Sequence, residues 1–173
     1  MRRALVLLLL ASHCGGSAAA SGQRTPAQLA ALPRSEVRVM TTSGLHAFQV
    51  WIAEDDRSRQ QGLMFVKSLP ADHGLLFLFD RPQFAAFWMK NTYLSLDIVY
   101  IAPDGVVVNI KHDTTPLSEN PIESASPVKG VLEVLAGTAA RIGLKAGDRV
   151  LHPAFAVQQT SFLIKHPDSR LLH

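Results

Sequence analysis

The sequence predicts a mainly β fold: a small barrel-like or closed sandwich of about eight short strands with two short helices. Three observations carry this prediction. Short runs of Val, Ile, Leu and Phe recur at strand spacing between turn residues. A Pro103-Asp104-Gly105 turn sits between two β-branched runs, the strongest hairpin signal in the chain. No long helical pattern alternates with the strands, which excludes an all-parallel α/β sheet.

The first twenty residues read as a secretory leader rather than as part of the fold. Arg2 and Arg3 precede the leucine-rich run Ala4 to Ala11, and Ser17-Ala18-Ala19-Ala20 supplies a cleavage site after Ala20. The apolar run is far shorter than the roughly 20 residues that span a bilayer, and no later stretch spans either. The expected product is exported, periplasmic or secreted. A lipid anchor on Cys14 would need a small preceding residue, and His13 stands there, so lipoprotein anchoring is not expected. Cys14 is the only cysteine, so after cleavage the core must hold without disulfides. Loss of Arg2 and Arg3 also takes the formal net charge from +3 to +1. The remaining cations are scattered among acids with no basic stripe, so nucleic acid is not an expected partner.

The segment 21–35, with Pro26 and Pro33, reads as a linker, and 36–152 as a single β domain. Glu36 to Thr42 and Leu45 to Ala53 flank Ser43-Gly44 as a hairpin. Glu54-Asp55-Asp56 opens a short helix, with Asp55 placed to pair with Arg59 and with Gly62 to end it. Leu75 to Phe79 is continuously apolar, a strand covered on both faces, and Asp80-Arg81-Pro82 is expected to stop it. Leu96 to Ala102 and Val106 to Ile110 form the second hairpin. Lys111 to Pro127, with three prolines, reads as a long surface loop. Lys129 to Leu135 returns as a strand, a helical turn follows Gly137-Thr138, and Gly147-Asp148 leads into a last strand. Residues 153–173 are a tail whose only apolar cluster is Phe162-Leu163-Ile164.

Several of these motifs occur together in a known order. Arg59-x-x-Gly62-Leu63-Met64, Gly74-x-Leu76-Phe77, Phe87-Trp88-Met89-Lys90-Asn91-Thr92, Leu96-Asp97-Ile98 and Gly143-Leu144-x-x-Gly147-Asp148 resemble the domain-of-unknown-function 192 family in sequence and spacing. The resemblance covers Glu36 to His152 and implies a compact, mainly β domain, often exported in bacteria, with no established activity. Relatives often carry a cysteine pair near the proline-rich loop. This chain has Ser118, Asn120 and Ser124 in that region, which removes the groups a redox or metal role would use.

The candidate site is the junction where the apolar run ending in Trp88-Met89 meets Lys90, Asn91 and Thr92, with Asp97 five residues on from Thr92. An aromatic wall beside an ammonium and an amide suits a ligand carrying an anionic or carbonyl group. The plainer reading is a polar turn, with Lys90 lying over an aromatic ring and Asp97 pairing or capping nearby. Arg59 and Glu133 are added as candidates. Alternation puts Glu133 on the face opposite Leu132 and Val134; an outward, solvated carboxylate is the ordinary outcome, and an inward one needs Lys90 or Arg59 as partner. The aromatic group Phe77, Phe79, Phe84, Phe87 and Trp88 is expected to lie mostly in the core.

Three functions follow: binding of a small ligand or an envelope protein near Trp88 to Asn91; an envelope hydrolase or lyase using Lys90 or Asp97 as acid/base; or a structural accessory acting through the 114–127 loop. No cofactor is expected, and the expected state is a monomer. The six histidines beyond the leader show no metal spacing, His112-Asp113 being the only suggestive pair. There is no Gly-x-Ser-x-Gly elbow and no glycine-rich phosphate cradle.

Overall fold

A computed structural model describes residues 27–155. The expected leader (1–20) and the apolar cluster 162–164 lie outside the described residues. Nine strands build two sheets: β1 (Arg34–Thr41), β2 (Gly44–Ala53), β3 (His73–Gln83), β4 (Ala86–Phe87), β5 (Leu96–Ile101), β6 (Val107–Lys111), β7 (Ile122–Glu123), β8 (Val128–Leu135) and β9 (Arg149–Leu151). Three short helices accompany them, α1 (Ala27–Ala30), α2 (Asp56–Gln61) and α3 (Thr138–Arg141), and a 3-10 turn at Pro153–Phe155.

The main sheet runs β6-β5-β8-β3-β2-β1-β9, and β4 pairs with β7 in a separate two-stranded ribbon. All pairings are antiparallel except β2–β3, whose connection is the crossover containing α2. The sheet curls until its two ends touch. Val106 bridges Arg149, and the Val107 amide donates to the Asp148 carbonyl at 2.8 Å. The mainly β, barrel-like expectation is met; the second hairpin forms at its expected turn, and the first turns at Thr42-Ser43, one residue earlier than expected, with Gly44 paired to Thr41.

Two apolar layers follow from this curl. The interior layer gathers Val37, Val50, Leu76, Val99, Leu132 and Val150 from the strands, with Ile142 and Leu144 closing one end. The outer layer lies on β3, β5 and β8 and contains Leu75, Phe77, Ile98, Tyr100 and Val131, covered by Leu29, Leu63, Val66, Leu69, Ala85 and Met89. All six residues of β5 are therefore buried. Leu75, Leu76 and Phe77 face alternate layers, as a continuously apolar strand requires.

Several local expectations are corrected. β1 starts at Arg34 and Leu29 is buried in the outer layer, so part of the stretch read as linker packs on the domain. Phe155 is likewise buried, so packing continues past His152. β3 does not stop at Asp80-Arg81-Pro82 but runs through them to Gln83, with a register shift between Leu78 and Gln83 that tolerates the proline. Asp55 does not pair with Arg59. It caps α2, accepting the Ser58 amide at 2.9 Å in a reciprocal capping box, while Arg59 pairs with Asp56 at 2.6 Å. The 111–127 stretch is no free loop: Thr114 and Ser124 are buried, and β7 lies within it.

Gly105 shows why the second hairpin needs its Pro-Asp-Gly turn. Its φ is +84°, and a Cβ there would stand 2.5 Å from the Val150 carbonyl oxygen. Gly44, at φ +124°, has open space around it. Gly105→Ala should therefore destabilise by more than the roughly 1–3 kcal/mol of backbone strain alone, and Gly44→Ala by that strain only. Urea unfolding midpoints of the two variants check the order.

Candidate functional site

Beyond the ribbon the outer layer is incompletely covered, and a cleft of about 420 Å³ opens there. One wall is the end of α2 and the turn after it, from Arg59 through Gly62 to Leu63 and Met64. Gly62, at φ +50°, turns the chain at the helix end, and its amide bonds the Ser58 carbonyl. A second wall is β3, presenting Phe77, Phe79 and Gln83. The third is Phe84 to Trp88, which carries β4. Thr92 and Glu133 complete the lining.

The ribbon wall is held firmly. The Tyr100 hydroxyl donates to the Ile122 carbonyl at 2.6 Å, and the Ala85 amide donates to Ser124 Oγ at 3.0 Å. The Ser124 amide returns a bond to the Ala85 carbonyl, and Asn109 bonds backbone at both Glu123 and Ala125. Phe87 meets Phe77 edge-on at 4.8 Å between centroids. Phe84 and Trp88, expected in the core, are instead 70% and 48% exposed and form the rim. Alternation about the two-residue strand β4 turns Phe87 inward and leaves its neighbours outside.

Glu133 lies between Val131 and Leu135 on the outer-layer face of β8, opposite Leu75 of β3 and Ile98 of β5. It is 4% exposed. The sheet has no solvent face at this point, so the expected outward carboxylate is inward. Neither Lys90 nor Arg59 pairs with it, and among the described residues no hydrogen bond or salt bridge reaches its carboxyl. Burial pushes its pKa from 4.5 up to about 8, which leaves the group neutral at pH 7. Tyr100, whose hydroxyl is also raised by burial and then by the nearby Glu133 and Glu123, stays protonated.

Arg59 reaches the cleft but is committed elsewhere. It bonds the Leu78 carbonyl at 2.9 Å, the Glu54 carbonyl and Asp56, and lies over the Phe79 ring at 6.0 Å. Its role is to tie the end of α2 to β3.

The other candidates are placed differently. Lys90 projects to the surface, 5.0 Å above the Trp88 ring and 3.5 Å from Glu119. Asn91 adopts φ +55° and offers its carbonyl to the Phe65 amide at 2.8 Å, a turn role natural to asparagine. Asp97 is fully buried away from the cleft. One carboxylate oxygen accepts the Asp113 amide at 3.0 Å, and the other accepts the Ala139 amide at 2.8 Å in the first turn of α3. Asp97 thus braces two loops and does not join Lys90. The cleft unites Arg59, Trp88 and Glu133. Gln60, Gln61, Gln83 and Thr92 also line it; the glutamines follow no pattern that would single them out in sequence.

Among the described residues no group of three or more His, Cys, Asp or Glu is placed to hold a metal ion. No described helix is long and apolar enough to cross a membrane.

The sequence profile of the DUF192 family, "Uncharacterized ACR", matches residues 37–152. A Sinorhizobium meliloti 1021 protein, described as a candidate transcription regulator, has a crystal structure similar to this one. Its TM-score is 0.69 at 42% identity, with 71% of this chain and 96% of that chain covered. A Novosphingobium aromaticivorans DSM 12444 protein of unknown function is similar too. Its TM-score is 0.69 at 40% identity, with coverage of 70% and 86%. Nothing among curated proteins matches the chain.

Two carboxyls give testable contrasts. Glu133 has a folded pKa above its unfolded value, so the folded state holds the extra proton. Stability should therefore be highest below about pH 4.5, fall as pH rises toward about 8, and level off above, by roughly 3–5 kcal/mol in total. Glu133→Gln should remove that slope in denaturation curves measured between pH 5 and 8. Asp97→Ala strands two buried amides and should cost roughly 2–5 kcal/mol at neutral pH, with Asp97→Asn costing less. Urea unfolding of both variants checks this.

Proposed function

The chain belongs to the DUF192 family, and from its cleft we propose a small-molecule-binding protein, exported from the cytoplasm, whose ligand sets its polar group on Glu133. The observation that carries this reading is the buried carboxyl itself. It sits at an open cleft with no hydrogen-bond or salt-bridge partner among the described residues. Burying such a group unpaired costs several kcal/mol on general grounds, and such costs concentrate at functional sites. The walls around it mix aromatic and apolar side chains with Arg59, Thr92 and the amides of Gln60, Gln61 and Gln83, a composition suited to a small ligand.

A second reading draws on the same group. A carboxyl titrating near 8 suits a general acid at neutral pH, so an envelope hydrolase or lyase would use Glu133. Lys90 and Asp97 stand outside the cleft, which leaves that role to Glu133 alone. Export rests on the leader-like residues 1–20.

Trp88, half-exposed at the rim, is a natural reporter. Small molecules that raise the melting temperature should also perturb Trp88 fluorescence, and Glu133→Ala should abolish both responses in a protein that still folds. Unchanged melting shifts in that variant would sink the binding reading. Turnover of an envelope substrate, lost in Glu133→Gln, would instead favour the enzyme. Expressed in a bacterium, the secreted product should begin at Ser21 by N-terminal sequencing; an intact leader would overturn export.

A further inference from the structure

Among the residues lining the cleft, only Arg59 and Glu133 are ionisable. Arg59 is already balanced, its guanidinium 2.6 Å from Asp56 and bonded to two backbone carbonyls. The unspent capacity therefore belongs to Glu133. Its carboxyl is almost fully buried yet faces the cleft, and no described cation lies within salt-bridge distance. Aromatic side chains line the cleft beside it, Phe77, Phe79 and Phe87 with Phe84 and Trp88 at the rim, and two of these rings already lie near cations, Phe79 under Arg59 and Trp88 under Lys90. The faces of such rings attract positive charge and repel negative charge.

From this juxtaposition of an unpartnered buried carboxyl and an aromatic lining, we infer that the ligand is an organic cation, a substituted ammonium with an apolar body. The inference rests on the cleft being a binding site and adds the charge class of what it holds. An ammonium would give Glu133 its missing counter-ion while its alkyl groups pack on the rings. An anionic ligand would meet the ring faces with the wrong sign and could give the carboxyl no counter-charge. A purely apolar ligand would leave the carboxyl unsatisfied.

Cation entry has a proton consequence. Burial holds Glu133 protonated at neutral pH. When the ammonium arrives, the O–H bond of the carboxyl breaks, its proton passes to buffer, and the carboxylate pairs with the cation. The groups facing Glu133 do not absorb that proton. Tyr100 of β5 keeps its own on the bond to Ile122, and Arg59 of α2 is already charged. β3 offers only Leu75, Phe77 and Phe79 on that side, and the Phe84–Trp88 wall offers no titratable group.

Calorimetric titration of the full chain with three ligands of one shape tests this. They are choline, the neutral 3,3-dimethylbutan-1-ol, and the anion 3,3-dimethylbutanoate. Choline should bind about tenfold or more tighter than the alcohol, and the anion should bind worst. At pH 6.5, titrations in two buffers of different ionisation enthalpy should show up to one proton released with choline and none with the alcohol. Glu133→Gln should erase the choline preference, and Phe84→Ala, at an exposed position, should weaken choline without unfolding the protein. Equal binding of choline and alcohol, or tighter binding of the anion, would overturn the charge class while leaving the cleft a binding site. Should none of the three bind at millimolar concentration, both readings fall together. The wild-type comparison decides the matter even if Glu133→Gln folds poorly.

Discussion

The central strands β3, β5 and β8 are covered on both faces, and the rest of the molecule answers to that constraint. A sheet packed on one face can send every second side chain into water. Here the curl fills one side with the interior layer, and α1, the turn after α2 and the β4–β7 ribbon cover much of the other. Any polar group placed on these strands must find a partner inside the protein or meet a gap in the cover.

The two carboxyls of these strands show both outcomes. Asp97, at the start of β5, is surrounded by backbone amides and uses both oxygens to fasten the chain at Asp113 and at Ala139. Glu133, flanked by Leu75 of β3 and Ile98 of β5, has no such donors among the described residues and faces the cleft where cover is missing. One charge is spent on architecture. The other carboxyl has no ion-pair partner among the described residues and stands beside the aromatic wall of the cleft.

Much of the fold was legible because its signals are local. The turns beside Gly44 and at Pro103-Asp104-Gly105 depend on neighbouring residues, and the unbroken Leu75-to-Phe79 run announced a doubly covered strand. The site was less legible because its determinants are distant in sequence. Alternation assigns Glu133 a face but cannot say whether that face is wet; the answer depends on cover supplied by residues 29, 63–69 and 85–89. Phe84 and Trp88 resemble core residues by type, yet a strand of only two residues leaves them at the rim. Lys90, Asn91 and Asp97 were grouped by nearness along the chain, and the left-handed turn at Asn91 sends them to separate surroundings. Arg59 lines the cleft but is engaged in tying α2 to β3.

The ribbon wall carries a kinetic consequence. Its bonds to Tyr100, Ser124 and Asn109 hold Phe84 to Trp88 in place before any ligand arrives. On the proposed binding reading, a wall held in advance favours recognition by the fit of a standing shape, with little ordering entropy spent on capture. On that reading, affinity differences among ligands would be expressed in how long each one stays rather than in how fast it enters.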